Sequence, residues 1–367
     1  MRVSQSPASP LIFASALLTA ALAISTAAAQ QQSQQDATPP AHDMEHMHHN
    51  HGGFMQQGMH HADAKGIKLE QQVDAASHTI TVREGPLTLP ANTSHMKMPQ
   101  PPDVFWTIPL DSFLRAYTPR LVEASGQAVP GIVLHHTAFW NTDRSDFLCP
   151  NKEEHIFGAG SELTDWIEIP GYGYRVQKGD RIRIETMVHN PTATSYDKVY
   201  LEVKIPYADP TTATKSIYPT WMDVQSCGNS GYDLHTGKNE NVGTVGVKYN
   251  GILLGVGGHM HDYAKQITLE DTTRKETVAT LDAKVDENGH LLSMPVVTFF
   301  DRGGYKFAAG DQLRITATYD NITGKPLPDG AMGIVVGYFL PADDAAMSAL
   351  RRKPKPATHQ VAAATRE

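Results

Sequence analysis

From residue 66 onward the chain is written in short apolar runs alternating with polar positions, each run closed by glycine, proline, asparagine or aspartate. In His78-Thr79-Ile80-Thr81-Val82, Arg181-Ile182-Arg183-Ile184 and Val199-Tyr200-Leu201-Glu202-Val203 every second side chain falls on one face, which is the period of a strand. Gly333-Ile334-Val335-Val336-Gly337-Tyr338-Phe339 is a further β-branched and aromatic run. Before the C-terminal tail no segment keeps a long helical period. The pattern predicts an all-β fold of antiparallel strands.

A gapless internal repeat divides that fold. Gly173-Tyr174-Arg175-Val176-Gln177-Lys178-Gly179-Asp180 lines up on Gly304-Tyr305-Lys306-Phe307-Ala308-Ala309-Gly310-Asp311, and the match runs on to Asn190 and Asn321. The two Gly-Asp steps read as turns feeding matching strands. The offset is close to the separation between Leu134-His135-His136 and His259-Met260-His261. Two tandem antiparallel β-sandwich, jelly-roll-like domains, each with its own histidine motif, account for both facts. The expected N-terminal domain covers 66–212 and the C-terminal one 213–342. A boundary falls near 210–219, where Ala, Thr and Pro accumulate, and a short tail covers 343–367.

The first 65 residues have a different character. An apolar run over 11–23 behind Arg2 is too short for a membrane span and ends in Ala27-Ala28-Ala29, so residues 1–29 read as a secretory signal peptide. Residues 30–65 are polar and contain His42, Met44, His46, Met47, His48, His49, His51, Met55, Met59, His60 and His61. Such a stretch cannot build a core and reads as a disordered metal-binding segment. Alternating thioether and imidazole suits copper in either oxidation state. No later segment is apolar enough to span a bilayer, which predicts a secreted or periplasmic protein with no membrane span. The net charge of −8, without a basic patch, argues against nucleic acid. Cys149 and Cys227 in an oxidising compartment are expected to form a disulfide, the alternative being two buried free thiols.

Candidate chemistry gathers on histidine. His259 and His261 share a strand face behind Gly255, Gly257 and Gly258, so both can aim at one ion while Met260 points away. His135 and His136 are adjacent and reach one ion only at a bend or through different ring nitrogens. His189 ends the strand over 182–188, and Met332 follows the second copy of the repeat. One half thus offers three imidazoles, the other two imidazoles and a thioether. A sulfur donor biases a site toward Cu(I) and gives zinc little, while calcium and magnesium want carboxylates.

The order His-His, His, His-X-His, Met over two β-domains resembles the ascorbate-dependent type II copper monooxygenases, the peptidylglycine α-hydroxylating and dopamine β-hydroxylating enzymes. It is more closely similar to the stress-up-regulated nodulin family through Val129-Pro130 before Leu134-His135-His136-Thr137, Gly160-Ser161-Glu162, Gly171-Tyr172-Gly173-Tyr174 and Gly258-His259-Met260-His261-Asp262. The resemblance covers roughly residues 96–340. It implies an electron-storing copper on His135, His136 and His189. It implies a second, catalytic copper on His259, His261 and Met332, where O2 binds and hydrogen is abstracted. The two mononuclear centres would face each other across a solvent-filled cleft, with ascorbate or another small reductant and a small-molecule or peptide-like substrate. Two departures stand out. Gly257 occupies the place of the arginine that grips a peptide carboxylate, and Ile334 and Val336 stand where polar residues follow the methionine. Glycine-extended peptides are therefore not expected substrates. A non-enzymatic copper protein for storage, delivery or resistance is the alternative, and an interaction protein that has lost one centre is a third reading. Asp262 either orients a ligand imidazole or caps a turn. His95 is more often a surface histidine than an extra copper contact. His155, His235 and His290 stay unassigned, and Tyr172, Tyr174, Trp140 and Trp166 are expected to fill the sandwich rather than relay electrons.

Overall fold

The computed structural model describes residues 66–352, apart from positions 96, 161, 163 and 164. The expected signal peptide over residues 1–29, the His/Met-rich stretch over 30–65 and residues 353–367 lie outside the described residues. Among the described residues the regular elements are strands, joined by turns and loops, except for three short 3-10 turns, Gly131–Val133, Phe300–Arg302 and Ala345–Leu350. The all-β expectation is borne out. Pairing is antiparallel except where Lys215–Ser216 joins Tyr172–Val176.

The first half forms two sheets. One runs Lys68–Asp74, Thr79–Leu89, Tyr196–Ala208, Ser112–Leu114, Tyr172–Val176 and Lys215–Ser216, with Thr118–Glu123 also against Tyr196–Ala208. The other runs Val104–Thr107, Arg181–Val188, Leu134–Ser145 and Glu153–Gly160. Alternate residues of both enter one core, with Ile80, Val82, Leu201 and Val203 from the first sheet and Phe139, Phe157, Ile182 and Ile184 from the second. In the second half, Tyr218–Asp223, Ile334–Pro341, Gly251–His259 and Val296–Thr298 form one sheet. Gly237–Gly246, Gln312–Asn321, Ala264–Asp271 and Glu276–Asp282 form another. Leu253, Val256, Ile267, Leu269, Leu313 and Ile315 fill the core they share.

The sequence repeat is carried by matching hydrogen bonds. Asp180 accepts the Gln177 N–H and Asp311 accepts the Ala308 N–H, closing the same turn twice. Asn190 and Asn321, both buried, each accept from the backbone and hydroxyl of the threonine two residues on. Each also donates to the carbonyl four residues on.

The two cores interlock. Along Ile334–Pro341 the even positions Ile334 and Val336 enter the first core with Met332, while Val335 and Phe339 enter the second, as a strand's period of two requires. In return Phe147, Leu148 and Cys149, at the tip of the hairpin between Leu134–Ser145 and Glu153–Gly160, pack in the second core. The Cys149–Cys227 disulfide fixes that tip, with Cα atoms 5.6 Å apart. Packing continues past residue 342: Met347 and Leu350 are buried in the second core, Arg351 forms a two-point ion pair with Asp180, and the Arg352 N–H donates to the Asp143 carbonyl. An apolar pair three residues apart on one 3-10 turn is enough to dock this short piece.

Candidate metal centre

The first histidine pair owes its geometry to a slip in strand register. Leu134 pairs with Val188, but His136 pairs with Met187, so His135 is an extra residue opposite Arg181–Val188. A bulge of this kind bends the strand and re-aims a side chain. It brings the His135 and His136 rings to 5.0 Å between centroids, although neighbours on a regular strand point apart. His189 follows that same partner strand. Its N–H donates to Val133 O, and its Nε2–H donates to Ile132 O, which leaves the Nδ1 lone pair for the site. The His189 ring lies 5.1 Å from His135.

The second set sits at the end of Gly251–His259. The His259 and His261 rings are 5.5 Å apart and perpendicular, while Met260 is buried in the second core. His259 Nδ1 lies 2.5 Å from a Glu162 carboxylate oxygen, so Nε2 is the nitrogen left to face outward from that contact. The His261 N–H donates to the Tyr319 hydroxyl at 3.0 Å, and that hydroxyl donates to the Met332 carbonyl and accepts the Met332 N–H. One buried tyrosine thus anchors the backbones of both His261 and Met332. A Cβ at Gly258 would lie 2.7 Å from the Met294 methyl and 3.2–3.3 Å from Ile267 and Leu281 of the other sheet, so any side chain here makes these neighbours give way.

The two sets meet. The His135 and His261 rings, which the resemblance assigns to different centres, are 6.4 Å apart. His95 joins them, stacked on His135 at 4.6 Å with ring planes 7° apart. Burial, reinforced by like charge from neighbouring rings, pushes His136 and His261 down to about 3 and His95 to about 4. The same causes hold His135 well below its ordinary value, and burial lowers His189. His95, His135, His136, His189 and His261 are therefore neutral near pH 7, with lone pairs ready to bind. His136 Nε2 is buried and has no hydrogen-bond partner among the described residues, a costly arrangement for a polar atom unless something else occupies the lone pair. A set of imidazoles fits a late first-row ion such as copper and does not fit calcium or magnesium, while Met332 is buried in the first core with its backbone tied to that of His261 through Tyr319.

Other candidates fall elsewhere. Asp262 accepts the Leu291 N–H and so shapes a turn. His155 is wedged between Trp140 and Trp221 at 4.5 and 3.8 Å, and His235 and His290 sit in exposed turns with Asn239 and Asp286. Tyr174 bonds Asn141 and Glu154, and the Trp166 indole bonds the Gly158 carbonyl, so both serve the sandwich. Glu162, Tyr319 and Gln100 carry no metal-ligand signature in the sequence. Glu162 is foreshadowed only by the Gly160-Ser161-Glu162 phrase.

No family model matches the chain. Two fungal proteins are similar over part of it. "Probable copper-dependent oxygenase M1" of Phoma sp. is 26% identical over 237 residues, covering 59% of this chain and 58% of its own length. "Probable copper-dependent oxygenase clz3" of Cochliobolus lunatus is 26% identical over 238 residues, covering 59% of this chain and 73% of its own length. The chain thus matches little more than half the length of the first relative. Among solved structures, the major capsid protein P2 of bacteriophage PM2 aligns over 72% of this chain and 98% of its own, at 11% identity and a TM-score of 0.32. PNGF-II aligns over 79% and 64% at 9% identity and a TM-score of 0.29. Likeness at that level carries no argument.

Proposed function

We propose that this chain is an exported copper-dependent oxygenase that oxidises a small organic substrate with O2, taking electrons from ascorbate or another small reductant. The observation that carries the reading is the convergence of His135, His136, His189, His259 and His261, with His136 Nε2 buried and without a hydrogen-bond partner among the described residues. The similarity to two proteins named as copper-dependent oxygenases supports the same chemistry. Copper, when bound, supplies electron storage and oxygen activation. The chain's own residues hold that chemistry in place. Glu162 fixes the tautomer and plane of His259, the Ile132 carbonyl fixes His189, and Tyr319 ties His261 to Met332. In this reading Met332 is the soft donor beside His259 and His261, and His135, His136 and His189 serve the reducing side. Export is consistent with residues 1–29 and with a disulfide that needs an oxidising compartment.

The test is oxygen uptake by copper-loaded full-length protein freed of excess metal, with ascorbate as reductant. Free copper oxidises ascorbate by itself, so the reference is His259→Ala protein at matched copper. Wild-type uptake at least tenfold above that reference supports the reading, and equal uptake refutes it. A storage or delivery role gains from Ile334 and Val336, which pack in a core instead of lining a site. Tight copper binding without uptake above the reference would select it.

A further inference from the structure

We propose that His95 is a metal ligand, joining His135 and His189 on one ion and leaving His136 to the His259–His261 side. This rests on the copper reading above and extends it to a residue outside the expected six. Three observations carry it. First, among the described residues His95, His135 and His189 form the one group of three His, Cys, Asp or Glu side chains whose ligand atoms all lie within 4.8 Å of one another. Bonds of about 2.0 Å to one ion would place three nitrogens about 3.5 Å apart, so closing on an ion takes about an ångström of ring movement. His136 does not belong to that group, although it is His135's neighbour in sequence.

Second, the loop that bears His95 is clamped on both sides of His189. Thr93 exchanges backbone hydrogen bonds with Asn190, at 2.8 Å each way, and the Asn92 N–H reaches the Thr192 carbonyl. On the other side the Gln100 side chain, buried to 3% exposure, donates to the carbonyls of His95, Met98 and Val188 and accepts the Val188 N–H. A solvated surface histidine needs no such frame. These bonds tie the His95 backbone to the residues before and after His189, so the two imidazoles move as one body. Preorganising ligands in this way is what a metal site requires of its supporting residues.

Third, the partition gives the unpartnered His136 Nε2 a role. With His135 drawn toward His95 and His189, its neighbour is the nitrogen left to complete the set around His259 and His261, whose ring is 6.4 Å from His135. The register slip leaves His135 as the extra residue, its ring stacked on His95 and 5.1 Å from His189, while His136 returns to register. A close pair of copper ions follows, in place of two ions apart across water.

The test uses full-length protein loaded with Cu(II) and then reduced with ascorbate, read by X-ray absorption for nitrogen donors per copper and by competition with a Cu(I) chelator for affinity. His95→Phe keeps a ring to stack on His135 and removes the nitrogen. The expected result is a loss of at least tenfold in affinity for one of two coppers and fewer nitrogen donors per copper, with the second copper retained. Unchanged affinity and donor count in His95→Phe overturn the inference and leave the copper reading standing, provided His259→Ala weakens binding. A wild-type protein that holds no copper overturns both. If His95→Phe does not fold, histidine carbethoxylation of wild-type protein decides the matter. Protection of His95 together with His135 and His189 on adding copper supports the ligand role, and modification of His95 at the same rate with and without copper refutes it.

Discussion

Glu162 is the most exposed to experiment of the residues that the metal-ligand pattern passes over. Its carboxylate lies 2.5 Å from His259 Nδ1, with the Glu162 side chain 6% exposed and that of His259 17% exposed. A contact so short and so little solvated is a charge-assisted hydrogen bond, worth about 1.5–3 kcal/mol. Glu162→Gln keeps an acceptor in place and removes the charge. Glu162→Ala removes the partner and leaves Nδ1 unsatisfied. Loss of such a partner to a ligating imidazole costs about 10–100-fold in metal affinity, or about 1.4–2.7 kcal/mol. The glutamine variant belongs near the lower end and the alanine variant near the upper. Gly160 supplies an independent lever, because a Cβ there would lie 2.4 Å from the other Glu162 carboxylate oxygen. Gly160→Ala should therefore push the carboxylate away from His259 and reproduce the glutamine phenotype. The assay is Cu(I) competition titration, with thermal melting of the metal-free proteins as the control for folding. If all three variants bind copper as wild type does, His259 is not positioned by Glu162 and the argument fails. If they melt much earlier without metal, the contact is structural instead.

Two further predictions concern stability. The Cys149–Cys227 bridge closes a separation of 78 residues, which in the chain-entropy account stabilises the fold by about 4.5 kcal/mol. The Cys149→Ser, Cys227→Ser double variant should show a correspondingly lower urea midpoint, and a midpoint equal to wild type would remove the disulfide from the stability argument. Glu84 is buried, with one oxygen accepting the Thr186 hydroxyl and the other unpartnered among the described residues, and desolvation pushes its pKa from the ordinary 4.5 to about 7. A raised carboxyl pKa means the native state holds the proton more tightly than the unfolded chain. The resulting stability is therefore full below pH 4.5 and is lost as pH rises toward 7, by about 3 kcal/mol. Asp146 and Glu185, also raised to about 7, add slope of the same sign, so Glu84→Gln should flatten the wild-type decline between pH 5 and 8 without abolishing it. An unchanged slope in urea unfolding would show that Glu84 ionises as it does in water.

The strand pattern and the repeat were legible because both are local. Alternation reports which face of a strand is buried, and a Gly-Asp turn with its following asparagine brings its own hydrogen bonds with it, as Asp180 with Asn190 and Asp311 with Asn321 demonstrate. Burial of Met347 and Leu350 was not legible, because two apolar residues in an alanine-rich stretch carry no period. At the metal centre, spacing finds residues that approach an ion from one strand and misses those delivered by pairing between distant segments. His95 is brought to His189 by a bridge between Thr93 and Asn190 and by Gln100, contacts across about ninety residues that no spacing rule encodes. The adjacent pair His135-His136 shows the opposite failure. Strand geometry alone sends the two rings to opposite faces, and their convergence depends on a one-residue slip against Arg181–Val188. That slip also removes the reason to assign both rings to one ion. Once His135 is the extra residue it is free to follow His189, while His136, back in register, keeps the direction its strand gives it. The histidines were therefore readable from the sequence, and the division between ions proposed for them was not, because that division depends on register and register is fixed by the partner strand.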